Sequence, residues 1–214
     1  LDDAVSQFRE HFDERYGGFG SAPKFPPSTG LSLLLCCYRR TGDSQILQMA
    51  TNTLDAMADG GIYDHIGGGF ARYSTDERWL VPHFEKMLYD NALLSRTYLE
   101  AYQVTKQASY RQVTVEVLDY ILREMTDLAG GFYSATDADS EGVEGKFFVW
   151  TPSEIQSVLQ NAEDTRRFCA CYDITEQGNW EHRNIPNRLR PIEAVLKELN
   201  ITLDELSETI HRVR

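Results

Sequence analysis

Apolar residues along the chain fall into stripes of helical period, separated by polar, glycine-rich stretches. Leu1, Val5, Phe8 and Phe12 form the first stripe, which stops before Gly17. Leu31 to Tyr38 is apolar almost all round, the pattern of a helix buried on most sides, and Gly42 supplies its stop. Ile46, Ala50, Leu54 and Met57 make a third stripe; Leu88, Leu94, Tyr98, Ala101 and Tyr102 a fourth; Val113, Val117, Ile121 and Met125 a fifth. Thr151-Pro152-Ser153-Glu154 is a capping box with proline at the first helical position, and Thr202 to Glu205 repeats the capping pattern, so helices are predicted to begin at both. Strand signals are short: Phe132 to Ala135 is expected to pair with Lys146 to Trp150 across the turn-rich Asp139 to Gly145. The expected fold class is mostly α, with small β-hairpins in the connections.

The breaks between stripes repeat. Gly17-Gly18-Phe19, Gly68-Gly69-Phe70 and Gly130-Gly131-Phe132 place Phe at 19, 70 and 132, intervals of 51 and 62 residues. Two helices of about 12 to 18 residues with their connections fill such an interval, which predicts an array of helix hairpins. The stretch from Gly60 to Asn91 stands apart, because Gly67, Gly68 and Gly69 interrupt any helix while His65, His83 and many charged and aromatic residues crowd around them. That composition suits a concave polar site better than a core.

With 214 residues and 42% apolar content the chain can bury one sizeable core, and no Pro, Gly or Ser linker divides it. A net charge of −12 argues against nucleic-acid or anionic-membrane partners, which most of the surface would repel. There is no signal peptide and no bilayer-length apolar run, which fits a cytoplasmic protein. The absence of an initiating Met and the ending in His211-Arg212-Val213-Arg214 lead to the expectation that the chain is part of something longer. Cys36-Cys37 and Cys169-x-Cys171 lack zinc-ribbon or redox spacing and read as buried reduced thiols. Asp137-Ala138-Asp139-Ser140-Glu141-Gly142 begins like a calcium loop, but the twelfth position is Phe148, so the closing carboxylate is missing. No metal or cofactor is expected.

Three blocks, Gly18-Phe19-Gly20-Ser21-Ala22-Pro23-Lys24-Phe25-Pro26, GGGFARYSTDERWLVPHFEKMLYDNA from Gly67 and GGFYSATDADSEGVEGKFFVW from Gly130, closely resemble the thioredoxin-domain-containing proteins related to spermatogenesis-associated protein 20. The resemblance covers essentially the whole chain. It implies that residues 1–214 are a fragment of an (α/α)6 toroid of the six-hairpin glycosidase type, similar to N-acylglucosamine 2-epimerases, with short β-hairpins in the rim loops. The thioredoxin-like domain of that family and the remaining hairpins are not in this chain. The resemblance further implies a carbohydrate as ligand, the thioredoxin-like domain as partner, and a pocket built from the loops that carry the glycine pairs. An exposed cut edge would favour a dimer.

Within those loops the candidates for acid–base chemistry are His65, His83, Asp64, Glu85, Asp90 and Asp137. Epimerisation next to a carbonyl calls for a base and an acid, the task of His65 or His83; glycoside hydrolysis calls for two carboxyl groups drawn from Asp64, Glu85, Asp90 and Asp137. Arg72, Tyr73, Trp79, Lys86 and Trp150 are candidates for holding substrate, the tryptophans by stacking on a sugar face. His65, Arg72, Tyr73, Trp79, His83 and Asp137 are expected around one cavity, and either histidine should be replaceable by Ala without unfolding. Each also has a plainer role: Asp76 and Glu85 as helix-cap residues, Lys86 with Asp90 as a surface pair, the histidines and tryptophans as core. A non-catalytic reading, in which the loops form an interface with a thioredoxin-like domain, stands beside the enzymatic one.

Overall fold

The computed structural model describes residues 2–214, so Leu1 of the first stripe lies outside the described residues. The stripes become α1 (Asp2–His11), α2 (Ser28–Thr41), α3 (Ser44–Asp59), α4 (Leu88–Thr105) and α5 (Ala108–Glu124), the two capping boxes open α6 (Pro152–Leu159) and α9 (Leu203–Val213), and α7 (Ala162–Cys171) and α8 (Ile192–Leu199) form where no helix was expected. Gly42 ends α2 with a left-handed φ of 72°, its N–H on the Tyr38 carbonyl. Both capping boxes form, Thr151 with Glu154 and Thr202 with Glu205, each worth about 1 kcal/mol. No helix among the described residues is long and apolar enough to cross a membrane.

Neighbouring helices pack on one another: α2 on α3 and α4, α4 on α5, and α7 on α6, α8 and α9. Leu31, Leu34 and Leu35 of α2 meet Ala50, Leu54 and Met57 of α3, and Leu94, Tyr98 and Ala101 of α4 meet Val113 and Val117 of α5 in the same core. Full burial of each large side chain contributes about 1.5–3 kcal/mol, which is why these stripes and not local propensity decide where helices form.

The glycine-pair loops share one geometry. In each, an aspartate opens the loop: the Asp13 N–H donates to the Gly18 carbonyl, Asp64 to Gly69 and Asp127 to Gly131, while Gly17, Gly68 and Gly130 donate back to the three aspartate carbonyls. Each aspartate carboxylate also accepts backbone N–H groups inside its own loop, at Arg15 and Tyr16, Ile66 and Gly67, and Ala129. Four residues after Phe70 and after Phe132 the chain pairs with the preceding loop: Ser74 with Lys24, and Thr136 with Lys86. A fourth copy, hidden in sequence because it reads Gly178-Asn179-Trp180, pairs Asn184 with Trp150. The loops are thereby stitched into one rim.

That stitching overturns one expectation. Phe132–Ala135 does not pair with Lys146–Trp150, because β4 (Ala135–Thr136) is taken by β3 (Lys86–Met87) of the previous loop. β5 (Asp139–Ser140) and β6 (Val143–Glu144) instead close a two-residue hairpin on themselves, and residues 146–148 form a 3₁₀ turn. The remaining pair is β1 (Tyr73–Ser74) with β2 (Pro82–His83).

Candidate functional site

The rim collects an exposed polar cluster at the start of α4. Tyr73 and His83 are cross-strand partners in β1 and β2, so their rings fall on one face and stack at 5.0 Å and 21°. Phe25 from the first loop lies 4.8 Å from Tyr73 at 31° and is 56% exposed. Beside them the Arg72 guanidinium sits 3.1 Å from Glu85, its backbone N–H donates to the Glu85 carbonyl, and its side chain also reaches the Tyr89 hydroxyl. His83 Nδ1 lies 3.0 Å from Glu144 of β6, which brings a third loop to the site.

Asp90, in the first turn of α4, is the chemically unusual member. Burial pushes its carboxyl up to about 6, Arg72 opposes this and Glu85 adds to it. Its Oδ2 is buried and without a hydrogen-bond partner among the described residues. An acid poised near neutrality, with an unused acceptor atom next to an arginine, is equipped to exchange a proton with a bound ligand.

Other candidates lie behind this face. Lys86 does not reach Asp90: its ammonium is buried, 2.7 Å from Asp64 and 2.8 Å from the Gly68 carbonyl, and packs over the Tyr120 and Phe148 rings. Burial pushes the Asp64 carboxyl up, but Lys86 and the Gly67 and Ile66 N–H groups outweigh it and hold the group below the usual range. His65 is buried, with Nε2 on the Gly60 carbonyl and the ring between Tyr63 and Tyr172; burial, then Arg188, depresses it to about 3. A neutral imidazole so far from neutrality is poorly matched to general-base work.

Trp79 is 1% exposed and donates from Nε1 to the Tyr16 carbonyl; it is a core ring with no face open to a sugar. Trp150 is half-buried against the Ile155 and Phe168 cluster. Asp137 is exposed on the turn after β4, accepting the Asp139 N–H. His65 fronts a cavity of about 580 Å³ between α3, α5 and the segment before α8, which neither Asp137 nor Trp79 lines. The six residues expected around one cavity therefore divide: Arg72, Tyr73 and His83 meet at the rim, while His65, Trp79 and Asp137 sit elsewhere. Cys36 is exposed, against the expectation of a buried thiol, while Cys37 is buried.

Phe25 and Glu144 join the site without having been singled out. Phe25 follows Lys24 in a run that periodicity does not mark, and only the Lys24–Ser74 pairing brings it to Tyr73.

The sequence is 48% identical over 199 residues to spermatogenesis-associated protein 20 of Mus musculus, a match covering 85% of this chain and 25% of that protein. The Homo sapiens counterpart is also 48% identical, over 191 residues that cover 81% of this chain and 24% of the relative. The chain thus spans about a quarter of the length of the curated relatives it matches. No family model matches. Among solved structures it is similar to a sugar epimerase from a ruminal bacterium, with a TM-score of 0.58 and 15% identity, covering 77% of this chain and 46% of that one. It is also similar to a cellobiose 2-epimerase from Spirochaeta thermophila, with a TM-score of 0.55 and 18% identity, covering 64% and 39%. These likenesses show the fold: helix hairpins forming part of an (α/α)6 toroid, with short strand pairs in the rim loops.

Proposed function

We propose that this homologue of one segment of spermatogenesis-associated protein 20 is a carbohydrate-processing domain whose site is the rim cluster of Arg72, Tyr73, His83, Glu85 and Asp90. The observation that carries the reading is Asp90, a carboxyl near pKa 6 with an unpartnered oxygen beside Arg72. With His83 Nδ1–H donating to the Glu144 carboxylate, Nε2 keeps its lone pair and can accept a proton as Asp90 returns one, the two-group requirement of epimerisation. Arg72 and Glu85 then position hydroxyl groups. The fold shared with sugar epimerases supports the substrate class.

The test is incubation with aldoses, ketoses and N-acylated sugars in deuterated water. Deuterium at C2, lost in Asp90→Asn and His83→Ala, is the expected result. Release of reducing sugar from oligosaccharides added to the same assay, without exchange, would move the chemistry to hydrolysis by Glu85 and Asp90.

A second reading rests on Val115, Leu118 and Leu122, which leave an apolar stripe exposed on α5. As a binding domain, the chain would cover that stripe with the thioredoxin-like domain of the longer protein or with a second copy. Light scattering of the chain alone, and with that domain added, separates the two partners.

A further inference from the structure

Phe25 is held rigidly in a place where burial does not explain it. On its N-terminal side Lys24 exchanges both backbone hydrogen bonds with Ser74, at 2.8 Å each, and its ammonium is pinned to Asp13 and the Gly17 carbonyl. On the other side Pro26 fixes its own φ. A large apolar ring is thus fixed in solvent, which costs hydrophobic free energy that a packed position would recover.

The pairing register explains where the ring points. Lys24 opposes Ser74, so the neighbouring Phe25 and Tyr73 come together, and Tyr73 in turn opposes His83. Three rings from two loops form a row, and Arg72, next to Tyr73 in the chain, pairs with Glu85. A flat aromatic surface with charged hydrogen-bonding residues in the same loop matches a pyranose, whose C–H face is apolar and whose rim carries hydroxyls. The carboxylates of Glu85 and Asp90, together with a net charge of −12, disfavour phosphorylated or acidic ligands.

We infer that Phe25 and Tyr73 form a stacking subsite for a neutral pyranose ring next to Asp90, and that Phe25 governs affinity and not the chemical step. This rests on the carbohydrate reading of the rim and specifies how the sugar is held. Methyl glucoside, methyl mannoside and methyl N-acetylglucosaminide are the probes, titrated against the chain by proton NMR.

One glycoside is expected to bind with upfield shifts of its ring protons, as stacking on an aromatic face requires. Phe25→Ala should weaken binding about tenfold and remove those shifts, Phe25→Trp should preserve both, and an unchanged thermal melt shows that folding is intact. In the proton-exchange assay Phe25→Ala should raise KM and leave kcat unchanged. Glycoside binding that Phe25→Ala leaves unaltered overturns the subsite while the carbohydrate reading survives. Stacking lost in Phe25→Ala with no exchange attributable to Asp90 sustains the subsite and overturns the chemistry. No binding of any glycoside overturns both.

Discussion

Lys86 and Asp64 are 22 residues apart in sequence and 2.7 Å apart in the structure, and one repeat earlier Lys24 holds Asp13 in the same way. Each lysine also donates to the carbonyl of the first glycine of its Gly-Gly-Phe run, Gly68 or Gly17, and lies over an aromatic ring, Tyr120 or Trp79. The pair acts as a latch that ties the strand leaving a loop to the aspartate that opens it. The third loop has no such lysine, and Asp127 takes the exposed Tyr133 hydroxyl instead.

Removing the cation from the Lys86–Asp64 latch leaves a buried carboxylate with backbone N–H partners but no opposite charge. Lys86→Met is therefore expected to cost about 3–5 kcal/mol in urea unfolding, with part of that recovered when Asp64→Asn is added. Because Asp64 is held below its usual value of 3.8, its contribution is complete above that pH and is lost as pH falls through the folded value. Acid unfolding below about pH 4 should be less steep in Asp64→Asn than in the parent chain.

Asp90 has the opposite sign. Its carboxyl is raised from 3.8 to about 6, so the folded state binds the extra proton between those values and stability declines as pH rises through them. Asp90→Asn should be more stable than the parent at pH 7 by about 1 kcal/mol, less than the full shift implies because water screens this half-exposed group. At pH 4 the difference should vanish, and any sugar turnover should be lost at both pH values. Thermal melts at the two pH values, paired with the exchange assay, check all three outcomes.

Period and punctuation were enough to read α1 to α5, α6 and α9 but not α7 and α8, and burial of one stripe per helix dominates the stability of the first five: Leu94, Tyr98 and Ala101 lie in the core as their spacing requires. Three of the four repeated loops were visible as glycine pairs followed by Phe; the fourth was hidden by Asn179 and Trp180. What could not be read was which polar residues turn inward. Lys86 and Asp90 are adjacent on any helical projection, yet Lys86 precedes α4 in a strand whose partner, Thr136, is 50 residues away, and this sends its ammonium to Asp64. The two-residue strands alternate faces too briefly to leave a sequence pattern, so the grouping of Arg72, Tyr73 and His83 is legible only once the loops are paired.

His65→Ala is expected to destabilise the chain, contrary to the loop-surface role that its position suggests. The ring is buried between Tyr63 and Tyr172 and holds the Gly60 carbonyl, so its removal leaves a cavity and costs that carbonyl one of its two partners, about 2–4 kcal/mol in all. With the folded value depressed to about 3 from 6.5, the parent chain loses stability as pH falls from about 6.5 toward 3, because only the unfolded state takes the proton there. A variant in which this slope persists unchanged, or one as stable as the parent in urea, would contradict the assignment.

Gly69 and Gly130 both adopt positive φ, at 82° and 91°, yet their surroundings differ. A Cβ on Gly69 would come within 2.6 Å of the Tyr120 ring, and on its neighbour Gly68 within 2.8 Å of the Glu116 carbonyl, so α5 approaches this loop as closely as it does only because side chains are absent. At Gly130 nothing lies within 4 Å. Gly130→Ala should therefore cost only the backbone term, about 1–2 kcal/mol, whereas Gly69→Ala adds overpacking against Tyr120 of about 1–3 kcal/mol. Tyr120 is also a ring over which the Lys86 ammonium lies, and its hydroxyl bonds Thr136, the partner of Lys86 in the rim ladder. A displaced Tyr120 thus disturbs the segment that leads into Glu85 and Asp90. Gly69→Ala should weaken glycoside binding as well as stability, and Gly130→Ala should leave binding intact; equal effects of the two on binding would show that the second loop does not position the site.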